Sequence, residues 1–282
     1  MNKNLKPNNL KDALKNKLSE KEFVFAPKAF DSFGNIAVIE IPKELEKKKE
    51  IIGKTLLEVQ PRFETVCSIE SDHKGAFRIQ KVKIIAGKKN LVATYKESGV
   101  VLKVPLGKVF FSPRLGSERL RIAKEIKKGE IIGCWFSGVG PYPIVFAKNS
   151  LVGKAIAIEL NPVAHKFAKE NAKINKCEEK IDFVLSDVKK VYKNFEKQFD
   201  RIAMPLPHTG YQFLDEAFFC VKEKGIIYFY EIVEKGNFGL PEKQIKESAK
   251  KQGRKIRIVR KSRVRQFSPT KEQVVFDIKL LN

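Results

Sequence analysis

Residues 134–147 read CWFSGVGPYPIVFA: an apolar approach, Gly138 and Gly140 one residue apart, Pro141, then apolar residues again. Two glycines after a buried strand let the backbone turn tightly and approach a ligand with no Cβ in the way. Pro141 suits the first helical position, where its missing N–H is not needed. About 20 residues further on, Glu159 ends the apolar run KAIAIEL, where a carboxylate can accept hydrogen bonds from ribose hydroxyls. Asp187 ends a third such run in LSDV, where it can accept from an adenine amino group. Either acid could equally be a helix cap. No Gly-Lys-Ser/Thr follows the turn, which excludes a Walker loop, and the third glycine of the dinucleotide fingerprint is replaced by Pro143. Two acids at consecutive strand ends beside a glycine turn favour an adenosine ligand, either NAD or S-adenosylmethionine.

A fourth run, FDRIAMPLPH, places Pro205 and Pro207 where the chain leaves the sheet. Rigid peptide groups there can turn backbone carbonyls toward a planar base. A hydride-transfer enzyme needs a group to protonate a carbonyl, such as a buried His or a Tyr-Lys pair, and none stands near a strand end. Methyl transfer is therefore the leading reading.

These residues need a scaffold that brings strand ends together. From SPRLGSERLRIAKEIKKG onward the pattern predicts a helix from Glu118 to Lys127, then strands alternating with helix-length segments, and two terminal strands, RKIRIVRK and QVVFDIKLL. That order implies right-handed β-α-β units, a mostly parallel sheet and ligands beyond its carboxyl edge. Upstream, residues 25–106 read as a small α+β domain with the alternating run NIAVIEI, a helix KELEKKKEIIGKTLLEV and further short strands, AFRIQKVKIIAG among them. Residues 1–24 form a lysine-rich segment whose apolar positions are too sparse for a core, so a short exposed helix is expected there. The fold class is thus α/β, with residues 107–282 as the ligand-binding domain.

The 282 residues carry 56 Lys and Arg against 33 Asp and Glu, a formal net charge of +23. Such an excess favours a polyanionic partner, and nucleic acid is the simplest one. Residues 250–265, KKQGRKIRIVRKSRVR, hold nine Lys or Arg and no acid; Lys255, Arg257, Arg260, Arg263 and Arg265 would line a basic ridge for phosphates. Arg114 is a further RNA-contact candidate. Four widely spaced cysteines (67, 134, 177, 220) and three histidines (73, 165, 208) offer no metal-ligand spacing. No metal, no membrane span and a reducing cytoplasm are expected.

Taken together, FRIQKVKIIAG, KVFFSPRLGSERLRIA, FSGVGPYPI, AIELNPVAHKFAKENAKINK, LSDV and DRIAMPLPHTGYQFLDEA resemble the archaeal and eukaryotic tRNA (guanine-37-N1)-methyltransferases and their wyosine-pathway relatives. The likeness runs from about FDSFGNIAVIEI to the C-terminus. It implies a class I Rossmann-like methyltransferase domain that binds S-adenosylmethionine, preceded by a small RNA-contacting domain. Phe136, Gly138, Gly140 and Pro141 would lie against the methionine half and ribose, Glu159 and Leu160 at the ribose, and Asp187 and Val188 at the adenine. Arg119 matches a position close to the cofactor, and Pro205 belongs to the same lining. Glu118 matches the general base, Arg78 the arginine that stabilises the purine O6, and Pro207 a position lining the base pocket.

Guanine N1 is a poor nucleophile until its proton leaves, so a carboxylate acceptor and a guanidinium at O6 suit the reaction. Three features depart from the family pattern. Cys134 stands where an acid is usual, Pro205-Leu206-Pro207 replaces Asn-Leu-Pro, and at most about 25 residues remain of the extra N-terminal domain of many archaeal members. A larger tricyclic base, 4-demethylwyosine methylated at carbon 7, suits a pocket without the asparagine amide. The alternatives are an aminocarboxypropyl transferase of the wyosine pathway and a non-catalytic RNA-binding protein. The expected partner is the anticodon loop of a Phe-type tRNA, bound by a monomer with no DNA partner.

Overall fold

The computed structural model describes residues 9–72 and 75–281, so residues 1–8 of the N-terminal segment and His73 lie outside it. Two compact units emerge: residues up to Lys96 with Val101–Pro113, and Glu97–Val100 with the chain from Arg114 on.

In the first unit, α1 (Leu10–Leu14) is capped by Asn9, whose side chain accepts from the Asp12 N–H, and α2 (Glu20–Phe23) opens on a Ser19–Glu22 capping box. The expectation of an exposed N-terminal helix fails. Leu10, Leu14 and Leu18 are buried in one cluster with Ile39, Leu45, Ile52, Leu56 and Val66. Three leucines at four-residue spacing supply one continuous apolar stripe, enough to dock a short helical segment among many lysines. The sheet runs β1 (Asp31–Phe33), β2 (Ile36–Ile39), β3 (Thr65–Ile69), β4 (Val82–Gly87), with β2 and β3 parallel and the outer pairs antiparallel. All four residues of β2 are buried, so this strand is covered on both faces rather than alternating. Helix α3 (Lys49–Val59) packs on this sheet. A two-stranded ladder follows, β5 (Val92–Glu97) with β6 (Val100–Pro105).

The second unit starts with α4, which spans Gly116–Glu125 and so begins and ends two residues earlier than its periodicity suggests; Ile126 is already extended. Strands β7 (Ile131–Trp135), β8 (Lys154–Glu159), β9 (Ile181–Leu185), β10 (Phe199–Met204), β11 (Val221–Glu234), β12 (Ile256–Gln266) and β13 (Lys271–Leu280) form one sheet in the order β12-β13-β11-β10-β7-β8-β9. Strands β7 to β11 are mutually parallel, and β13 alone runs against its neighbours, as a class I methyltransferase sheet does. Helices α5 (Pro141–Asn149), α6 (Pro162–Ile174), α7 (Val188–Val191), α8 (Leu214–Cys220) and α9 (Gly239–Lys251) make the crossovers. The chain steps outward from β7 to β8 and β9, then returns to place β10 and β11 on the other side. The crevice at the carboxyl ends of β7 and β10 is therefore the topological switch point, where such sheets bind ligands. Beneath it sit Trp135, Phe199, Phe218, Phe229 and Phe276 in one apolar core. Among the described residues, no helix is long and apolar enough to cross a membrane.

Candidate active site

The turn after β7 is built from left-handed backbone at Phe136 (φ 54°), Gly138 (φ 56°) and Gly140 (φ 85°). Gly140 is the N-cap of α5, and Pro141 takes the first helical position as expected. A Cβ on Gly140 would stand 3.1 Å from Ile144 Cδ1 and 3.3 Å from Ala168 Cβ. This glycine thus serves close packing of the turn on α6 as well as its φ. Ser137 is 3 % exposed, and its hydroxyl has no hydrogen-bond partner among the described residues.

Glu159, at the end of β8, ties the turn down. Its two carboxylate oxygens accept from the Gly138 N–H (2.6 Å) and the Asn161 N–H (2.7 Å). Burial raises its pKa, against the pull of those amides. Leu160 beside it is 46 % exposed, an apolar surface at the rim. Strand β9 stops at Leu185, and Asp187 caps α7, accepting from the Lys189 N–H at 2.9 Å. Val188 is 2 % exposed with its side chain in the core, so its backbone is the part left to face a ligand. Phe136 meets Phe213 edge-on at 4.8 Å, and Lys189 Nζ lies 5.1 Å above the Phe213 ring.

Across the crevice, Pro205 and Pro207 follow β10, Pro207 buried and Pro205 half-buried. Ala203 of β10 sits opposite Cys134 of β7, so the proline segment and the glycine turn leave adjacent, hydrogen-bonded strands. Burial pushes the Cys134 thiol well up, which leaves this departure from the family pattern as a neutral core residue.

Glu118 and Arg119 lie in the first turn of α4. Glu118 is 7 % exposed; it accepts two hydrogen bonds from Arg121 (2.7 and 2.9 Å) and one from the Tyr230 hydroxyl (2.9 Å). Arg121 also donates to Asp277 (2.8 and 3.1 Å) on β13. Burial pushes Asp277 up to about 6, opposed by Arg121. Arg119, 1 % exposed, donates twice to Glu97 at 2.6 Å, a bidentate brace between α4 and the 97–100 turn of its own unit. Sequence reasoning missed this network. Arg121 was within reach, three residues from Glu118 on one helix face, but Asp277 lies 156 residues from Arg121 and no local signal points to it.

Arg78 belongs to the first unit. It stands in a turn with left-handed backbone (φ 50°), not in the expected strand, because β4 starts only at Val82. Its N–H donates to the Gly75 carbonyl at 3.0 Å.

The basic ridge differs from simple alternation. Register shifts between Ile258 and Arg260 and between Arg263 and Arg265 reset β12, so Arg257, Arg260 and Arg265 pair with Lys279, Asp277 and Gln273 on one sheet face. Arg263 pairs with Val274 and is turned to the other face, together with Lys261. Lys255, Arg257, Arg260, Arg263 and Arg114 are exposed, and Arg265 is half-buried.

An adenosine-bearing methyl donor fits this edge: an orphaned buried hydroxyl, two acids at neighbouring strand ends and an exposed leucine surround a turn of positive-φ residues. Among the described residues, no cluster of three His, Cys, Asp or Glu could hold a metal.

Comparison with known proteins agrees with this layout. Residues 93–259 match the TRM5/TYW2 methyltransferase domain, and residues 10–90 match the TYW2 N-terminal domain. The tRNA (guanine(37)-N(1))-methyltransferase Trm5b of Pyrococcus abyssi is 34 % identical, over 91 % of this chain and 76 % of its own length. Its crystal structure superposes with a TM-score of 0.84 at 33 % identity, covering 93 % of this chain and 78 % of that one. The tRNA 4-demethylwyosine(37)-methyltransferase Taw21 of Saccharolobus solfataricus is 32 % identical over 89 % of this chain and 94 % of its own. The structure of P. horikoshii TYW2 in complex with MeSAdo superposes with a TM-score of 0.80 at 26 % identity, covering 96 % and 97 %. With the family's catalytic domain matched over residues 93–259 and a 34 % identical relative aligned along 91 % of this chain, the chain belongs to the TRM5/TYW2 methyltransferase family.

Proposed function

We propose that the chain transfers a methyl group from S-adenosylmethionine to the purine at position 37 of a tRNA, as a cytoplasmic monomer acting on the anticodon loop of a Phe-type tRNA. The observation that carries this reading is the adjacency of the glycine turn and the Pro205–Pro207 segment on hydrogen-bonded strands at the switch point. One motif suits a nucleoside donor and the other a planar acceptor.

When bound, the donor supplies a methyl group already activated by its sulfonium. Glu159, Leu160 and the Ser137 hydroxyl would hold the ribose, and the Phe136–Pro141 turn would lie against ribose and methionine. Asp187 and the Val188 backbone would meet the adenine. Glu118 takes the proton from guanine N1. Its carboxylate already accepts three hydrogen bonds, yet a carboxylate has about four lone-pair sites, so one more donor can be accommodated. Arg121 holds that carboxylate in place through two of those bonds, and Arg119, locked to Glu97, positions the helix that carries it. Arg78 steadies charge on O6. The first unit contacts the RNA; in the second, Pro207 lines the base pocket and Pro205 belongs to the lining of the cofactor.

A second reading has its own observation. Pro205 has no side-chain amide, which favours the wider 4-demethylwyosine base as acceptor at carbon 7. Incubation with radiolabelled S-adenosylmethionine and two tRNAs, one with unmodified guanine 37 and one with the tricyclic precursor, separates them after nucleoside digestion. Label in 1-methylguanosine assigns guanine N1; label only in the tricyclic nucleoside assigns carbon 7. No label in either, with the donor bound, sinks both.

A further inference from the structure

The hairpin between β12 and β13 turns at the carboxyl edge of the sheet, because β12 runs in the same direction as the parallel strands. Its tip carries Phe267, 45 % exposed. A single exposed aromatic needs no explanation, but this one is held rigidly. The Phe267 and Ser268 N–H groups both donate to the Lys271 carbonyl at 3.0 Å. The Lys271 N–H in turn donates to the Ser268 hydroxyl at 3.0 Å. The ring lies 5.7 Å from the His208 ring, edge-on, and the Arg265 guanidinium stands 5.6 Å above it. Arg265 is itself anchored by a 2.7 Å bond to Gln273, which is 1 % exposed.

His208 directly follows Pro207. It adopts a left-handed backbone (φ 74°), uncommon for a residue with a Cβ, and its N–H is held by the Glu231 carboxylate at 2.6 Å. Glu231 is 8 % exposed and accepts the Ile232 N–H at 2.8 Å through the same oxygen. A buried acid thus fixes the backbone of His208, whose exposed side chain lies beside an exposed ring, one residue beyond the segment assigned to the acceptor base. Neither the proposed methyl transfer nor the core needs Phe267.

We infer that Phe267, flanked by Arg265 and His208, is a stacking platform for an unpaired nucleobase next to the one being methylated. This rests on the proposed RNA substrate. A base withdrawn from a loop leaves its neighbours with an uncovered face, and an aromatic ring with an adjacent guanidinium is the surface on which single-stranded RNA stacks regardless of sequence. The net charge of +23 favours the polyanion that carries such a base.

The test is a binding cycle. Anisotropy measures the affinity of the full chain and of Phe267→Ala for a fluorescent anticodon stem-loop. Two further stem-loops are abasic at the nucleotide on either side of position 37. Phe267→Ala is expected to weaken binding of the intact RNA about ten-fold. It should have almost no effect on one of the abasic RNAs, and Phe267→Trp should restore affinity. S-adenosylmethionine binding stays unchanged. Equal weakening on all three RNAs, or none on any, overturns the platform while leaving methyl transfer standing. Because binding is read without catalysis, absence of methylation alone does not touch the platform; failure of the unsubstituted chain to bind RNA overturns both.

Discussion

Glu118 and Asp277 share the Arg121 guanidinium, and the protonation of Asp277 is the finest detail of this network. The ordinary value of 3.8 for Asp277 is pushed up to about 6, chiefly by burial, with Arg121 pulling the other way. Because the fold raises this pKa, the stability linked to it is fully present below about pH 4 and is lost as pH rises through about 6. Asp277→Asn is therefore expected to raise the melting temperature at pH 7.5 and to leave it nearly unchanged below about pH 4, where folded and unfolded chains both bind the proton. Scanning fluorimetry across that range checks it. A fall at pH 7.5 would mean that the ion pair with Arg121 outweighs the burial of the charge. Glu159 belongs to the same scale: each of its oxygens holds a backbone N–H, so one residue ties the turn after β7 to the end of β8.

Among the elements, the N-terminal helix and the edge strand departed most from their sequence patterns. Helix α1 is only five residues long, too short to persist alone, and it is retained by burial of Leu10 and Leu14. Leu14 is fully buried, so Leu14→Ala is expected to destabilise the chain by about 2–5 kcal/mol. Chemical denaturation followed by circular dichroism measures it; a loss below about 0.5 kcal/mol, the size of an ordinary surface substitution, would show that α1 is not part of the core. In β12 the two register shifts decide which cations share a face. An extra residue on one strand flips the parity of every residue beyond it, and strict alternation then misassigns half of them.

For the whole molecule, charge is the dominant property. With +23 distributed over the chain, affinity for RNA is expected to fall steeply with salt, linearly in log–log form. Replacing Arg257 and Arg260 by Gln should lower the slope by about 1.4 to 1.8, close to one per lost phosphate contact, while hardly changing sequence preference. Filter binding over a salt series reads the slope directly. An unchanged slope would remove this face from the RNA contact surface.

The sequence by itself determined the alternation of strands and helices, the glycine turn with Pro141 at N1, and the acids near the ends of the second and third strands. These depend on local rules: φ freedom, helix entry and apolar periodicity. The parallel sheet came with them, because crossover lengths leave few other topologies. Only the tertiary structure decided that Glu118 sits between Arg121 and Tyr230, that Arg119 is spent on Glu97, that Val188 turns into the core, and that Phe267 stands beside His208. Most of these join residues from different elements. Such pairings come from packing separate segments against one another, a relation that no local pattern encodes.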